Sequence, residues 1–567
     1  MNMSNNKIII YQVLPRLFGN KKTKNKYNGD INENGSGKFN YFTNKALSGI
    51  KKMGFTHVWY TGVIAHASQT DYTAHGIPKQ HPEIIKGIAG SPYAIRDYYD
   101  VDPDLAINIK NRMKEFENLV TRTHKNEMDV IIDFVPNHVA RDYKSIMKPT
   151  DVSEFGANDN SSHSFSPANN FYYIPDRELD MSLLPAKHKD IKYIEKPAKA
   201  TGNDCFTHQP SEFDWYETVK LNYGVDYQNK YEAHFSPIPD TWMKMKNILL
   251  FWAEKKIDGF RCDMAEMVPL EFWKWVIPRI KEEFPHIVFI AEIYNKNAYT
   301  DFLDEGAFDY LYDKVGLYDV VRDVACGYRP SSDITFTLNE VGDKQHRMLN
   351  FIENHDEQRL ASDYFLGNPE KGLAAMILTA CLNTNPIMIY FGQELGERGM
   401  DEEGFSGKDG RTTIFDYWSL DKINRWNNKG KWDESLLTTQ EKELRSTYSA
   451  ILNLCNQESA ISKGKFFDLM YANYENSEFN STKKYVFLRG DEDNLLLVVI
   501  NFNDVDSVIN VHIPNEAYSY FNKEKKNIAY ATPLLNFNDP VVSFSESNPL
   551  YLNIEAYSGE VLRITFE

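Results

Sequence analysis

The sequence predicts an α/β protein: a (β/α)8 TIM barrel with an inserted subdomain after strand 3 and a C-terminal antiparallel β-sandwich. Short apolar runs alternate with amphipathic segments through most of the chain, which is typical of parallel strands joined by helices. This alternation stops between Asn137 and about Pro237 and then resumes. Beyond residue 465 the apolar runs become closely spaced, which favours antiparallel strands.

Eight apolar runs are predicted to form the barrel. The first ends at a proline, as buried strands often do, and the helical spacing of residues 43–53, 109–125 and 240–255 separates later runs. Strand, helix and strand in succession imply right-handed crossovers and a parallel sheet. The predicted strands are residues 8–15, 57–62, 129–136, 259–264, 287–293, 308–312, 351–356 and 386–394.

Domain limits follow from these changes of pattern. We predict a catalytic barrel at 1–137 and 238–465, an inserted subdomain B at 138–237 and a C-terminal β-sandwich domain at 466–567. The insert is rich in Asn, Asp, Ser, Pro and aromatic residues. A long irregular segment inside a compact domain is usually functional, so we expect it to cover the mouth of the barrel.

Composition excludes several classes of protein. The 567 residues include 63 Lys and Arg against 80 Asp and Glu, and the net charge of −17 disfavours nucleic acid or an anionic membrane as partner. No window approaches the roughly 20 apolar residues of a membrane span. The five scattered cysteines suggest neither a disulfide framework nor a zinc site. We expect a soluble cytoplasmic protein, and the oligomeric state stays open.

The run 259–264 carries an arginine and an aspartate two residues apart. Side chains alternate along a strand, so Arg261 and Asp263 lie on one face. An isolated Arg-x-Asp is more often a structural ion pair. In a parallel barrel, however, Asp263 stands at the carboxyl end of its strand, where barrel enzymes keep their catalytic residues.

Other predicted strand ends carry acids too. Glu292 and Asp356 end two later strands, and Asp133 with His138 marks the third. Cleavage of a glycosidic bond needs one carboxylic acid to protonate the leaving oxygen and a second carboxylate to attack the sugar. Several acids at successive strand ends therefore favour a glycosidase over a set of unrelated structural contacts.

Four segments resemble, in order and spacing, the sequence regions of the α-amylase family, glycoside hydrolase family 13. They are Asp133-Phe-Val-Pro-Asn-His138, Gly259-Phe-Arg-Cys-Asp263, Ala291-Glu292 and Glu353-Asn-His-Asp356. The resemblance runs from Tyr11 through the C-terminal sandwich. It implies a retaining double displacement on an α-glucan substrate.

The resemblance also implies catalytic roles. Asp263 would be the nucleophile, Glu292 the general acid and base, and Asp356 the carboxylate that holds sugar hydroxyls in the distorted transition state. His138 and His355 would hydrogen-bond the same sugar. Retention predicts that the carboxyls of Asp263 and Glu292 lie about 5 to 5.5 Å apart, against roughly 6.5 to 9.5 Å for an inverting pair.

Three further substrate-site residues match the family. Arg261 would keep Asp263 ionised and oriented, and Tyr93 matches a tyrosine that stacks on the sugar at the cleavage point. Arg359 matches an arginine often found three residues after the last acid.

The chain departs from the family at two places. Glu266 and Met267 stand where many α-amylases carry Lys-His on the leaving-group side, which argues against ordinary endo-amylase action. Lys220 replaces an aspartate that commonly binds calcium, and an ammonium could supply the same charge. Asn137 remains as one possible ligand, far short of the six to eight oxygens that calcium prefers. We therefore expect no required cofactor and no metal site, although Ca2+ is the ion to test.

The sequence predicts a retaining glycoside hydrolase acting on α-1,4-linked malto-oligosaccharides or starch-derived glucans, with α-1,6 linkages as a further target. The alternative is a transglycosylase or isomerase of the same family, such as a glucanotransferase or a trehalose synthase type enzyme. A third reading is a non-catalytic sugar-binding relative. It is disfavoured because all three predicted acids are present.

Overall fold

Eight parallel strands close into a barrel at the centre of the computed structural model, which describes residues 7–184, 192–524, 526–536 and 539–567. Each strand pairs with its neighbours in chain order, and the first closes against the last through Ile9↔Ile387. The predicted TIM barrel is confirmed. Its strands are β1 Ile9–Val13, β2 His57–Tyr60, β3 Asp129–Phe134, β4 Gly259–Cys262, β5 Val288–Ala291, β6 Tyr310–Tyr312, β7 Met348–Phe351 and β8 Ile387–Tyr390.

The seventh strand was predicted too late in the chain. It ends at Phe351, where the prediction of 351–356 had placed its start. The amide oxygen of Asn354 accepts hydrogen bonds from the backbone N–H groups of Asp356 (2.8 Å) and Glu357 (2.9 Å), a turn that competes with strand pairing. Asp356 therefore stands on a loop beyond the strand end.

Amphipathic helices surround the barrel. The first begins at Asn44, directly after Thr43, whose hydroxyl caps the helix by accepting from the N–H of Ala46. This helix buries Leu47 and Ile50. The longest begins with a capping box formed by Thr438 and Glu441. The longer helices are α1 Asn44–Lys52, α2 Arg112–Lys125, α3 Asp240–Glu254, α4 Leu270–Glu283, α5 Asp319–Ala325, α6 Asp333–Val341, α7 Leu373–Cys381, α8 Asp421–Asn427 and α9 Thr439–Gln457.

Shorter helices stand at Ile31–Asn34, Ser459–Ser462 and Asn515–Tyr520. Among the described residues, no helix is long and apolar enough to span a membrane.

Two irregular excursions leave the carboxyl ends of the strands. The first follows β2 and contains the antiparallel pair Ile64–His66 and Ile95–Val101. The second follows β3 and is the predicted insert. Its first short strand pairs directly with its return strand through His138↔Lys220, so the insert is anchored at the mouth of the barrel. Its strand pairs are His138–Ala140 with Thr218–Lys220, Tyr173–Ile174 with Ala198–Lys199, and Val225–Asp226 with Glu232–Ala233.

The C-terminal strands are antiparallel, as predicted. Six form one sheet, and two more pair with each other beside it. Long strands such as Leu495–Asn501 are buried throughout, which fits a sheet covered on both faces. The strands are β9 Lys465–Asp468, β10 Lys484–Gly490, β11 Leu495–Asn501, β12 Ser507–Val511, β13 Ala529–Pro533, β14 Val542–Phe544, β15 Leu550–Ile554 and β16 Ser558–Phe566. The order in the large sheet is β9-β10-β11-β16-β13-β14, and β12 pairs with β15. The exact domain limits stay predictions.

A buried arginine joins this sheet to the barrel. Arg489, on β10, donates to the carbonyl of Leu382 just after α7 (3.2 Å). It also donates to the carbonyls of Ala460 (3.2 Å), Ile461 (2.9 Å) and Gly464 (2.8 Å). Arg489 is fully buried, and the residues whose carbonyls it contacts are buried too. Water cannot reach these carbonyls, and the guanidinium supplies the hydrogen bonds that they need.

Arg489→Met is therefore expected to lower the free energy of unfolding by about 2–4 kcal/mol, because the alkyl chain is kept while buried acceptors lose their donor. The shift in denaturant midpoint measures this loss. Lys463→Met, at an exposed position in the same region, is the control and should change stability by less than about 0.5 kcal/mol. Equal stability of the two variants would contradict the role assigned to Arg489.

Candidate active site

A cavity of about 330 Å³ opens among the loops at the carboxyl ends of the barrel strands. Six of the predicted site residues meet in its lining, although they come from five different loops or strand ends. Arg261 lies just beneath it. The lining is Lys86, Ser91, Tyr93, His138, Trp215, Glu217, Thr218, Asp263, Met264, Glu292, Tyr294, His355, Asp356, Ile414 and Phe415.

The guanidinium of Arg261 bridges the carboxylates. Its Nη1 lies 2.7 Å from Oδ1 of Asp263 and its Nη2 lies 2.8 Å from Oε2 of Glu292. A third carboxylate is close as well, because Oδ1 of Asp133 lies 3.6 Å from Nη1. Arg261 is 1% exposed, so these charges interact with little screening by water. One side chain thus sets the positions of both predicted catalytic acids.

Aromatic rings enclose the same guanidinium. Its central carbon lies 5.4 Å from the ring centroid of Trp59, 5.5 Å from that of Tyr93 and 5.3 Å from that of Tyr312. The Nε of Arg261 also donates to the Tyr312 hydroxyl at 3.2 Å. Ring faces attract a cation and exclude water. The rings therefore hold Arg261 charged and fixed beneath the cavity.

Glu292 is fixed through both of its oxygens. Met264, directly after Asp263, adopts the left-handed conformation (φ 43°, ψ 44°), which is uncommon for a side chain of its size. This turn lets its backbone N–H donate to Oε2 of Glu292 at 2.8 Å. The hydroxyl of Tyr294 donates to Oε1 at 2.6 Å. Backbone strain beside a catalytic group is a known feature of active sites.

His355 is held as a neutral ring. The side-chain N–H of Gln12 donates to its Nδ1 at 2.8 Å, which leaves the proton on Nε2. That nitrogen lies 2.5 Å from the Tyr93 hydroxyl and 3.2 Å from Oδ2 of Asp356. Burial and the nearby charge of Arg261 lower the pKa of His355 well below its usual value. It can therefore donate a hydrogen bond without carrying charge.

His138 is neutral for a similar reason. Burial, together with the positive charge of Lys220, lowers its pKa to about 3. Its ring centroid lies 5.2 Å from that of Trp215, which belongs to the insert. Both histidines at the cavity are thus suited to hydrogen-bond sugar hydroxyls.

The carboxylates carry more negative charge than Arg261 can balance. Burial raises the pKa of Asp263 well above its usual value, and the charge of Glu292 adds to this against the attraction of Arg261. Burial also raises the pKa of Asp133 to about 6. Asp356 faces the cavity with 41% of its side chain exposed. Partial loss of hydration and the charge of Glu292 raise its pKa to about 7. Burial and mutual repulsion therefore make these three carboxyls bind protons more tightly than they would in water, and Arg261 opposes this effect at Asp263.

Arg359 requires a correction. It is fully buried and does not line the cavity. Its Nη1 lies 2.9 Å from Oε2 of Glu353, and its Nε donates to the Thr412 hydroxyl at 2.8 Å. A guanidinium engaged in this way does not reach a sugar in the cavity. Arg359 instead ties the loop after β7 to the loop after β8.

Lys220 occupies the position where the family resemblance implied calcium. Its Nζ lies 2.6 Å from Oδ1 of Asn137 and 2.6 Å from Oδ1 of Asp204, and it donates to the carbonyl of Met267 at 3.1 Å. Lys220 is 2% exposed. An ammonium among these oxygens repels a divalent cation, so the residues present do not fit calcium here.

Sequence reasoning missed several contacts. Gln12, which orients His355, is a polar residue inside an otherwise apolar strand, and Tyr294 lies two residues after Glu292; both were detectable signals. Glu266, which departs from the family pattern, makes a further contact that the sequence pattern does not indicate. Its Oε2 accepts from the backbone N–H groups of Tyr294 (3.1 Å) and Asn295 (3.0 Å), so it holds the loop that follows Glu292.

Asp356→Asn is expected to stabilise the folded protein above pH 7. The folded-state pKa of Asp356, about 7, exceeds the ordinary 3.8, so the folded form keeps a proton that the unfolded chain releases. The free energy of unfolding of the wild type therefore falls as the pH rises from the unfolded-state pKa to the folded-state pKa of this group. Asparagine does not titrate, so the variant does not lose this stability. Thermal unfolding at about pH 5 and about pH 8 should show a larger gain at the higher pH.

Asp343→Asn serves as the matched control because this side chain is 92% exposed. Its melting temperature should follow that of the wild type at both pH values. A gain for Asp356→Asn that is no larger at the higher pH would contradict the raised pKa.

Comparison with known proteins identifies the family of this chain. The family model "Alpha amylase, catalytic domain" matches residues 12–442. Alpha-amylase 3 of Dictyoglomus thermophilum is 24% identical over 446 residues, which cover 75% of this chain and 77% of that protein. An alpha-1,4-glucan:maltose-1-phosphate maltosyltransferase of Cereibacter sphaeroides is 30% identical over 93 residues, 15% of this chain and 16% of that protein.

Among solved structures, the noncanonic maltogenic alpha-amylase AmyB from Thermotoga neapolitana superimposes with a TM-score of 0.62 at 20% identity. The match covers 100% of both chains. At this identity the likeness establishes the fold alone. The family model spans most of the chain, barrel and insert included. The chain therefore belongs to the α-amylase family of glycoside hydrolases and transferases.

Proposed function

We propose that this protein is a retaining α-glycoside hydrolase that cleaves α-1,4 linkages of malto-oligosaccharides by double displacement. The observation that carries the proposal is the bridge made by Arg261, whose two terminal nitrogens lie 2.7 Å from Asp263 and 2.8 Å from Glu292. One guanidinium group can contact both carboxylates only when they lie close together. The bridge therefore favours the carboxyl separation of a retaining enzyme, about 5 to 5.5 Å, over the wider separation of an inverting enzyme.

In the first half-reaction, the carboxylate of Asp263 attacks the anomeric carbon. Glu292 donates a proton to the glycosidic oxygen, so the shortened sugar leaves as a neutral alcohol and a glycosyl ester forms on Asp263. Arg261 stabilises the ionised form of Asp263 before attack, and its charge balances that of Glu292 afterwards.

In the second half-reaction, Glu292 acts as a base. It takes a proton from water, the water oxygen attacks the anomeric carbon, and the bond to Asp263 breaks. Two inversions at one carbon restore the α configuration. Tyr294 and the backbone N–H of Met264 keep the carboxyl of Glu292 in one orientation through both steps.

The remaining lining residues bind the sugar that reacts. His138 and His355, both neutral, donate hydrogen bonds to its hydroxyls, and Asp356 accepts from them. The ring of Tyr93 provides an apolar face for the sugar ring. Hydrogen bonds that strengthen as the ring flattens lower the barrier.

Transfer to a sugar instead of water is the second candidate. The favouring observation is the segment shared with a maltosyltransferase. Both reactions use the same glycosyl ester, and they differ only in which hydroxyl group reaches it.

We further propose that no calcium is needed at the Lys220 position. The ammonium already contacts Asn137 and Asp204, and it supplies positive charge between the start of the insert and its return strand. The loop after β4 is joined as well, through the carbonyl of Met267.

A product time course with maltoheptaose tests the hydrolase. Shorter maltosaccharides released first as the α-anomer are expected, whereas products longer than the substrate would identify a transferase. Asp263→Asn should lower kcat by at least about 1,000-fold with little loss of sugar binding, because it removes the nucleophile but keeps the shape of the site. Asp343→Asn, at an exposed site, should retain full activity. A β-anomer, or an active Asp263→Asn variant, would contradict the mechanism.

Lys220→Met is expected to lower the free energy of unfolding by about 1–3 kcal/mol, because the buried oxygen of Asn137 loses its donor. Chelator should leave wild-type melting temperature and activity unchanged. Lys125→Met, at an exposed position at the end of α2, is the control. A wild-type melting temperature that falls with chelator and recovers with added calcium would contradict this proposal.

A further inference from the structure

One side of the cavity is closed by two chain segments that meet. We call them the closing wall: residues 86–90, from the excursion after β2, and residues 414–415, from the loop after β8. Lys86, Ile414 and Phe415 all line the cavity. In the barrel order, β8, β1 and β2 lie across from β4 and β5, which carry Asp263 and Glu292. The closing wall therefore faces the predicted acid from the opposite side of the mouth.

The two segments touch backbone to backbone. The N–H of Ala89 donates to the carbonyl of Phe415 at 3.0 Å. Gly87 has a φ of +66°, and a Cβ at this position would stand 2.1 Å from the same carbonyl oxygen. Such close approach requires glycine. No gap for a sugar chain exists between segments in hydrogen-bond contact.

A buried arginine braces the contact from below. Arg16, 2% exposed, donates through Nη1 to the carbonyls of Gly90 (3.2 Å) and Ile414 (2.9 Å). Its Nη2 donates to the carbonyl of Ala89 at 3.1 Å. One guanidinium therefore binds carbonyls of both segments, and charged donors make the stronger hydrogen bonds. These hydrogen bonds fix the two segments of the closing wall against each other.

The closing wall also continues into the insert. Nζ of Lys86 lies 3.1 Å from Oε2 of Glu217 and 3.4 Å from the carbonyl of Asp214. Glu217 lines the cavity as well. The Lys86 side chain is only 11% exposed, so this ion pair is largely shielded from water. Loops after β8, β2 and β3 thus form one barrier around half of the mouth.

The acid side is different. The chain after Glu292 passes through Tyr294, at the cavity rim, to the exposed residues Asn295 and Lys296. A general acid protonates the oxygen that joins the reacting sugar to its leaving group, so the leaving group lies toward Glu292. The non-reducing continuation of the substrate then points toward the closing wall.

We propose that the enzyme acts from the non-reducing ends of α-glucans, because the closing wall ends the cavity beyond the reacting sugar. This inference rests on the proposed function and specifies its substrate. The cavity of about 330 Å³ is at the small end of ligand pockets, which suits a short chain end and not the middle of a long glucan. Each catalytic cycle accordingly removes a single sugar or a disaccharide from the chain end: the shortened chain leaves first, and water then frees the short sugar from Asp263.

Two forms of maltoheptaose test this, both with a fluorescent label at the reducing end. One has a free non-reducing end and the other carries a cyclic acetal there. The free form should first yield labelled chains shorter by one or two sugars. The blocked form should react at least about 100-fold more slowly, because the acetal has no room beside the closing wall.

Equal cleavage of both forms, or labelled products of all lengths at the first time point, would overturn the inference and leave the hydrolase proposal intact. No reaction with either form would contradict both the inference and the hydrolase proposal. Phe415→Ala should raise the ratio of blocked to free cleavage by shortening the closing wall, whereas Phe336→Ala, an exposed control on α6, should not. An unchanged ratio in Phe415→Ala would overturn the placement of the barrier at this segment.

Discussion

The active site depends on one buried charge. Arg261 is enclosed by aromatic rings beneath the cavity and contacts Asp133, Asp263 and Glu292. Without it, burial would force these carboxyls to bind protons or move apart. With it, two acids from neighbouring strands are held close together while the cluster still carries excess negative charge. Together with burial, that excess raises the pKa of Asp263 and of Asp356.

The same arrangement has a cost in stability. Asp356 has a raised pKa near 7, and Met264 adopts a strained backbone conformation to reach Glu292. Neither feature helps the chain to fold. Active sites commonly trade stability for geometry in this way, and the large barrel core can offset the loss. Stability and catalysis therefore place opposite demands on the residues around the cavity.

Buried cations recur as braces elsewhere in this acidic protein. Lys220 fastens the insert to the barrel, Arg16 joins the loops after β2 and β8, and Arg489 joins the C-terminal sheet to the barrel. Each donates to several oxygens from segments far apart in the chain, which side chains with multiple donors do well. Irregular loops gain fixed shapes through such contacts, and the shape of the cavity follows from them.

The sequence by itself determined the barrel, the place of the insert and the three acids, because strand periodicity and motifs such as 259–263 are local patterns. Only the tertiary structure decided the rest. In the structure the seventh strand ends before Asp356, and Arg359 is buried away from the cavity. Arg16 contacts Ile414, which lies nearly four hundred residues further along the chain. Local patterns cannot encode such contacts, since they arise only when distant loops pack together over the barrel.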